Sequence, residues 1–182
     1  MLTNSNTNLI IIMGVSASGK STVANAIAQH FHYCYLDADD FHSEENKRHM
    51  ASGKPLTDEM RAPWVTNIKN YLERAGKNQE HSVLAFSGLK KQHRDELRQA
   101  GLNTIFIFLN GNKTTIQERI NLRKDHFMSP NLVDSQFAAL ESPLSEADVY
   151  PIEVFDPIER VVSDAVSIID LHLLGNSRKQ TA

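Results

Sequence analysis

The chain has 182 residues, 41% hydrophobic and 23% charged, which suits one domain with a sizeable core and excludes a disordered composition. Its 19 basic and 22 acidic side chains leave a formal charge of −3, which argues against a nucleic-acid-wrapping surface while leaving room for a local cationic pocket. Cys34 is the only cysteine, so it has no disulfide partner in the chain and no four-cysteine zinc site can be built.

The start, MLTNSNTN, carries no basic segment followed by a long apolar run, and Leu9–Met13 is far shorter than a membrane span. A soluble, cytoplasmic protein without membrane or nucleic-acid partners is expected. Leu9–Met13 is short, continuous and β-branched, as a central parallel strand should be. A Gly/Ser turn leads into a helix over Ser21–Phe31, and Tyr33–Leu36 reads as a second strand entering the acidic turn Asp37-Ala38-Asp39-Asp40. Helices follow at about Ser43–Ala51, ended by Gly53, and after Thr57 as N-cap, with Pro63 expected to break or restart the second. Ser82–Phe86 is a third strand and about Lys90–Ala100 a basic helix. Thr104–Leu109 is a fourth strand and Thr114–Arg123 a helix. After a polar break at Asp125–Pro130 comes a short helix through Leu132, Gln136, Phe137 and Leu140. Val149–Phe155 is a fifth strand, placed at an edge by Pro151. Ile158 to Ile169 carries one apolar helical face, and the tail after Gly175 is expected to fray. Alternation of this kind implies a three-layer αβα fold with a five-stranded parallel sheet, its ligands beyond the carboxyl ends of the strands.

Gly14-Val15-Ser16-Ala17-Ser18-Gly19-Lys20-Ser21 matches G-x-x-x-x-G-K-[ST] between a buried-type strand and a helix. The turn can direct backbone N–H groups at phosphate oxygens, with Lys20 on the β- and γ-phosphates and the Ser21 hydroxyl on Mg²⁺. ATP is therefore expected along Gly14–Ser21 and Thr22. In an extended stretch, Asp37 and Asp39 would point the same way, Asp37 towards Mg²⁺ and Asp39 towards an acceptor hydroxyl. The D-x-x-G and N-K-x-D runs of GTPases are missing from suitable places. That leaves a small-molecule kinase, with a nucleoside kinase or an ATP-binding regulatory module as competitors.

The stretch Leu36-Asp37-Ala38-Asp39-Asp40-Phe41-His42, then Asn46, Met50, Gly53, Pro55-Leu56, Asp58, Arg61 and Pro63-Trp64, closely resembles the gluconokinases. Ser87-Gly88-Leu89-Lys90-Lys91 with Arg94-Asp95 and Leu97-Arg98 agrees, as do His126-Phe127-Met128, Ser135-Gln136-Phe137, Leu140-Glu141 and Pro143. The similarity runs from about Leu9 to Ile169. Departures are Ala17 and Ala38 for glycines, His49 for lysine, Met60 for aspartate, Gly88 for alanine and His93 for tyrosine. The two alanines fit if neither position needs a positive φ.

The resemblance implies a shikimate-kinase-type single domain, with an acceptor-binding helical insertion at about 41–76 and a lid at about 123–132. It implies transfer from MgATP to the 6-hydroxyl of D-gluconate and is compatible with a homodimer. Another sugar acid or polyol is the alternative acceptor. Arg61, Lys90 and Arg94 are candidate cations for the substrate carboxylate or the phosphoryl group, and His42 for a substrate hydroxyl. Competing local roles are a salt bridge to Asp58 for Arg61 and one to Asp95 or Glu96 for Arg94. Arg123, with Arg119 four residues earlier, is the candidate lid arginine on the triphosphate.

Overall fold

The apolar runs become one sheet because helices cover both of its faces. The computed structural model describes residues 6–122 and 130–180. In chain order the strands are β1 (Asn8–Met13), β2 (Cys34–Asp37), β3 (Ser82–Phe86), β4 (Asn103–Asn110) and β5 (Val149–Glu153). The helices are α1 (Lys20–Phe31), α2 (Glu44–Ala51), α3 (Asp58–Lys77), α4 (Lys91–Arg98), α5 (Lys113–Leu122), α6 (Pro130–Ala139) and α7 (Ile158–Gln180), with a 3₁₀ turn over Ala38–Phe41. All pairings are parallel and the strand order is β2-β3-β1-β4-β5. Pro151 lies on β5, an edge strand where a missing N–H costs no ladder bond.

Alternation along β1 divides the core. Ile10 and Ile12 face Val23 and Ile27 of α1, Ile116 of α5, Val133 of α6 and Val161, Ala165 and Ile169 of α7. Leu9, Ile11 and Met13 face Trp64, Val65, Ile68 and Leu72 of α3 and Leu97 of α4. Together these are the expected three αβα layers. Among the described residues, no helix is long and apolar enough to cross a membrane.

Two local expectations are corrected. α3 runs unbroken through Pro63, from a Thr57 cap that accepts from the Met60 N–H at 3.3 Å. Pro63 is the helix's sixth residue, so one intrahelical bond is lost close to the start, and burial of the next four apolar positions holds the helix together. The last helix also does not stop at Gly175 but continues to Gln180.

Arg94 is the third correction. The substrate or phosphoryl contact expected of it is not available, because the side chain is fully buried. Its Nε donates to Glu146 at 3.1 Å, its Nη1 to the Gly88 carbonyl at 2.6 Å and its Nη2 to the Glu141 carbonyl at 3.2 Å. The sequence-level alternatives, Asp95 and Glu96, are not its partners; Asp95 pairs with Lys91 and Arg98 instead. Burial pushes the Glu146 carboxyl up, but bonds from Arg94 and Arg98 outweigh this and hold it below the usual range. Arg94 thereby ties the turn after β3 to the segment before β5. Arg94→Ala should cost about 3–5 kcal/mol, because it empties a fully buried site, leaves the Gly88 carbonyl unmet and leaves Glu146 with Arg98 alone. Arg94→Lys should recover only part of this, as it lacks the planar fork. Urea unfolding midpoints check both.

Candidate active site

The phosphate loop joins the carboxyl end of β1 to the amino end of α1. Gly14 has φ +152, and a Cβ there would lie 2.9 Å from both the Leu109 carbonyl oxygen and Ser18 Oγ, so the loop closes only on glycine. The Gly14 N–H donates to the Ser87 carbonyl at 3.2 Å, binding the loop to the end of β3. Lys20 Nζ donates to the Val15 carbonyl at 2.9 Å, so its ammonium lies over the loop.

Ala17 does need a positive φ: it sits at +61, where an L side chain is strained, whereas Ala38 lies within the 3₁₀ turn. Clamps stand on either side of Ala17. On one side, the Ser16 N–H donates to Gln136 Oε1 at 2.6 Å and Gln136 Nε2 donates to Ser16 Oγ at 2.7 Å. On the other, Arg119 Nη1 donates to the Ser18 carbonyl at 3.1 Å, and its Nη2 donates to the Val154 carbonyl. Arg119, expected on the triphosphate, here holds the backbone of the loop and of the segment after β5.

Asp37 and Asp39 come together by a turn rather than by the pleat of a strand. Asp37 ends β2, and its Oδ1 accepts from the Asp39 N–H at 3.0 Å as the cap of the 3₁₀ turn. Its Oδ2 accepts from Ser21 Oγ at 3.2 Å and from the Tyr35 hydroxyl at 3.1 Å. Two oxygen donors of the kind Mg²⁺ takes, Ser21 Oγ and Asp37 Oδ2, therefore already adjoin one another beside the loop. The Asp39 side chain is open to solvent. Although solvent reaches it, the protein atoms crowded around its carboxyl and the charge of Asp37 hold its pKa above the ordinary value, with Lys20 opposing.

The 3₁₀ turn, α2 and α3 form the segment expected to hold the acceptor. His42 is 7% exposed and stacks on Trp64 at 4.2 Å between centroids, 15° from parallel. Trp64 Nε1 donates to the Ala38 carbonyl at 2.6 Å, fixing the indole under the acidic turn. His42 Nδ1 is buried without a hydrogen-bond partner among the described residues, and Nε2 stands 3.9 Å from Asp39 Oδ1. Burial, helped by Lys47 and Arg61, lowers the His42 pKa to about 4. Arg61 pairs with Asp58 at 3.3 Å and Lys90 with Glu141 at 3.6 Å, both accessible pairs of small energy. Met60 lines a cleft of about 210 Å³ with Asn46, Trp64 and Asn67. Gly88, at φ +61 with its absent Cβ 3.0 Å from Met13 Sδ, explains why alanine is not found there. Arg123 and most of the expected lid lie outside the described residues. Sequence reasoning gave no role to Tyr35 or to the Gln136 clamp, since nothing local in the sequence ties either to its partner.

A phosphate loop, a hydroxyl–carboxylate pair beside it and a second carboxylate, Asp39, in the turn that follows, all at the carboxyl edge of a parallel sheet, define a P-loop small-molecule kinase. The model of a family described as AAA domain matches residues 9–146. The thermoresistant gluconokinase of Escherichia coli (strain K12) is 36% identical over 168 residues, 92% of this chain and 96% of that protein. A probable gluconokinase of Dictyostelium discoideum is 40% identical over 166 residues, 86% and 83% of the two chains. The crystal structure of a gluconokinase from Sinorhizobium meliloti 1021 superimposes with a TM-score of 0.84 at 34% identity, over 98% of this chain and 97% of that one. The chain belongs to the gluconokinase family, ATP-dependent carbohydrate kinases within the shikimate-kinase and nucleoside-monophosphate-kinase type of P-loop fold.

Two outcomes follow from the geometry. Ala17→Gly should raise stability by up to about 1 kcal/mol, the relief of left-handed strain less the added freedom of the unfolded chain, read as a higher thermal midpoint. The unfolded chain protonates His42 near pH 6.5 and the fold only near 4. Its contribution to stability is therefore complete above pH 6.5 and is lost as pH falls towards 4. His93, also lowered by burial, acts in the same direction. His42→Phe should flatten the acid-side fall in unfolding free energy relative to the parent, leaving the part due to His93.

Proposed function

We propose that this protein transfers the γ-phosphoryl group of ATP to the 6-hydroxyl of D-gluconate, giving 6-phospho-D-gluconate and ADP. The observation that carries the reading is the convergence of Lys20, the Ser21–Asp37 pair and Asp39 at one edge of the sheet, in a chain of this family.

The loop amides and the α1 amino terminus bind the triphosphate, and Lys20 leaves the Val15 carbonyl for the β- and γ-phosphate oxygens. Ser21 and Asp37 would hold Mg²⁺, which when bound neutralises charge on those oxygens. Asp39 accepts a hydrogen bond from the 6-hydroxyl, aligns it with the γ-phosphorus and takes its proton as the new O–P bond forms. The bond from the γ-phosphorus to the bridging oxygen breaks, and ADP leaves. The raised pKa of Asp39 makes it a better acceptor for that proton than an ordinary carboxylate.

His42 remains the candidate for a substrate hydroxyl, since its buried Nδ1 has no hydrogen-bond partner among the described residues. Arg61 and Lys90 can exchange their accessible partners for the substrate carboxylate, and Arg123 remains the cation assigned to the transferring phosphoryl group. The setting for this reaction is the cytoplasm, and a homodimer is compatible with it. A second reading, another sugar acid as acceptor, is favoured by one observation: Met60 faces the acceptor-side cleft rather than open solvent.

An ADP-release assay with MgATP tests both readings, comparing gluconate with other aldonic acids, shikimate and nucleosides and identifying the phosphorylated product. Gluconate-dependent turnover to the 6-phosphate is expected; turnover with a different acid alone would transfer the assignment to that acid. Asp39→Asn should lower kcat by about 10²–10³-fold with the KM for ATP little changed, because general-base assistance is lost while the nucleotide contacts remain.

A further inference from the structure

Gln136 lies 120 residues along the chain from Ser16, yet α6 delivers its amide to the phosphate loop in a two-point pairing. We propose that Gln136 is a positioning residue for nucleotide binding and phosphoryl transfer, holding the Val15–Ser16 peptide against the strain at Ala17. The inference rests on the ATP-dependent reading above but not on gluconate as acceptor.

The Ser16 N–H held by Gln136 and the Val15 carbonyl that accepts from Lys20 Nζ belong to one peptide unit. That unit is planar and close to rigid, so its two ends rotate together. A contact that fixes the N–H end therefore fixes the carbonyl from which Lys20 moves to the phosphates.

The pairing is specific in its chemistry. Ser16 presents a donor and an acceptor side by side, and a carboxamide is the side chain that presents an acceptor and a donor to match. An alkyl chain meets neither, and a carboxylate brings negative charge towards a polyphosphate.

The following residue supplies the reason a clamp is needed. Ala17 is held at φ +61 without the freedom of glycine, and such a conformation persists only where its surroundings over-determine it. Gln136 fixes the residue before Ala17 and Arg119 the residue after it. With either clamp gone, Ala17 can relax towards negative φ and turn the loop amides away from the phosphates.

The test is a double-mutant cycle between positions 136 and 17, read by calorimetric ADP affinity and by steady-state kinetics. Gln136→Ala should weaken ADP binding and lower kcat by roughly 5- to 20-fold each, the loss of one or two neutral hydrogen bonds, with the KM for gluconate within about twofold. Gln136→Glu, of the same shape, should fold like the parent and lose at least as much. Adding Ala17→Gly to Gln136→Ala should restore most of the loss, because glycine holds the loop conformation without a clamp.

An ADP affinity in Gln136→Ala equal to that of the parent would overturn the proposal. So would a loss that Ala17→Gly leaves unchanged, which is what mere displacement of α6 would give. If the parent protein fails to turn over gluconate, the substrate reading fails while the ADP arm still decides on Gln136.

Discussion

The structure depends first on the burial of β1. Its residues Leu9 to Met13 are wholly inaccessible, paired on both sides by β3 and β4 and packed on both faces by helices. With no edge and no exposed face, this strand has a single register, and its last residue delivers Gly14 to one fixed point. The close approach of Gly14 to Leu109 and the bond from its N–H to Ser87 then follow from the neighbours of β1. The start of the phosphate loop is fixed because the strand that feeds it has nowhere to move.

Around that point the site is assembled from contacts that each serve two segments. Asp37 caps the 3₁₀ turn with one oxygen and receives Ser21 and Tyr35 with the other, so one carboxylate both shapes the acidic turn and links it to α1. Arg94 does for the outer wall what Asp37 does for the inner one. Fully buried, it draws the turn after β3 and the segment around Glu141 and Glu146 onto one guanidinium. Taking the Arg94 guanidinium out of water is costly unless its protons are met, and here they are met by elements that must stay in register for the edge to exist.

The parts of this arrangement readable in the sequence are those whose cause is local. The phosphate loop, the Thr57 cap, the edge position of Pro151 and the strand–helix alternation each depend on residues within a few positions of one another. Other parts depend on distant partners. Arg94 looked like a substrate cation because Glu146, 52 positions on, is not visible from its neighbourhood, and the acids beside it were the wrong partners. The two aspartates were expected to converge by strand pleat, whereas the strand ends at Asp37 and a cap makes the turn. Pro63 did not break α3 because tertiary burial of Trp64, Val65 and Ile68 outweighs one missing bond. At Ala17 the residue type suggested an ordinary backbone; the strain there shows only when φ is known.

The stacking of Trp64 on His42 has an optical consequence. Trp64 is the only tryptophan in the chain, is almost fully buried, and donates its indole N–H to the turn that carries Asp39. Intrinsic emission excited at the indole band therefore comes from one place, under the acidic turn. A neutral imidazole lies parallel to the ring, and a protonated one is a stronger quencher, so the signal is sensitive to the charge of His42 as well as to its position. The protein thus carries its own spectroscopic probe, placed under the turn that carries Asp39.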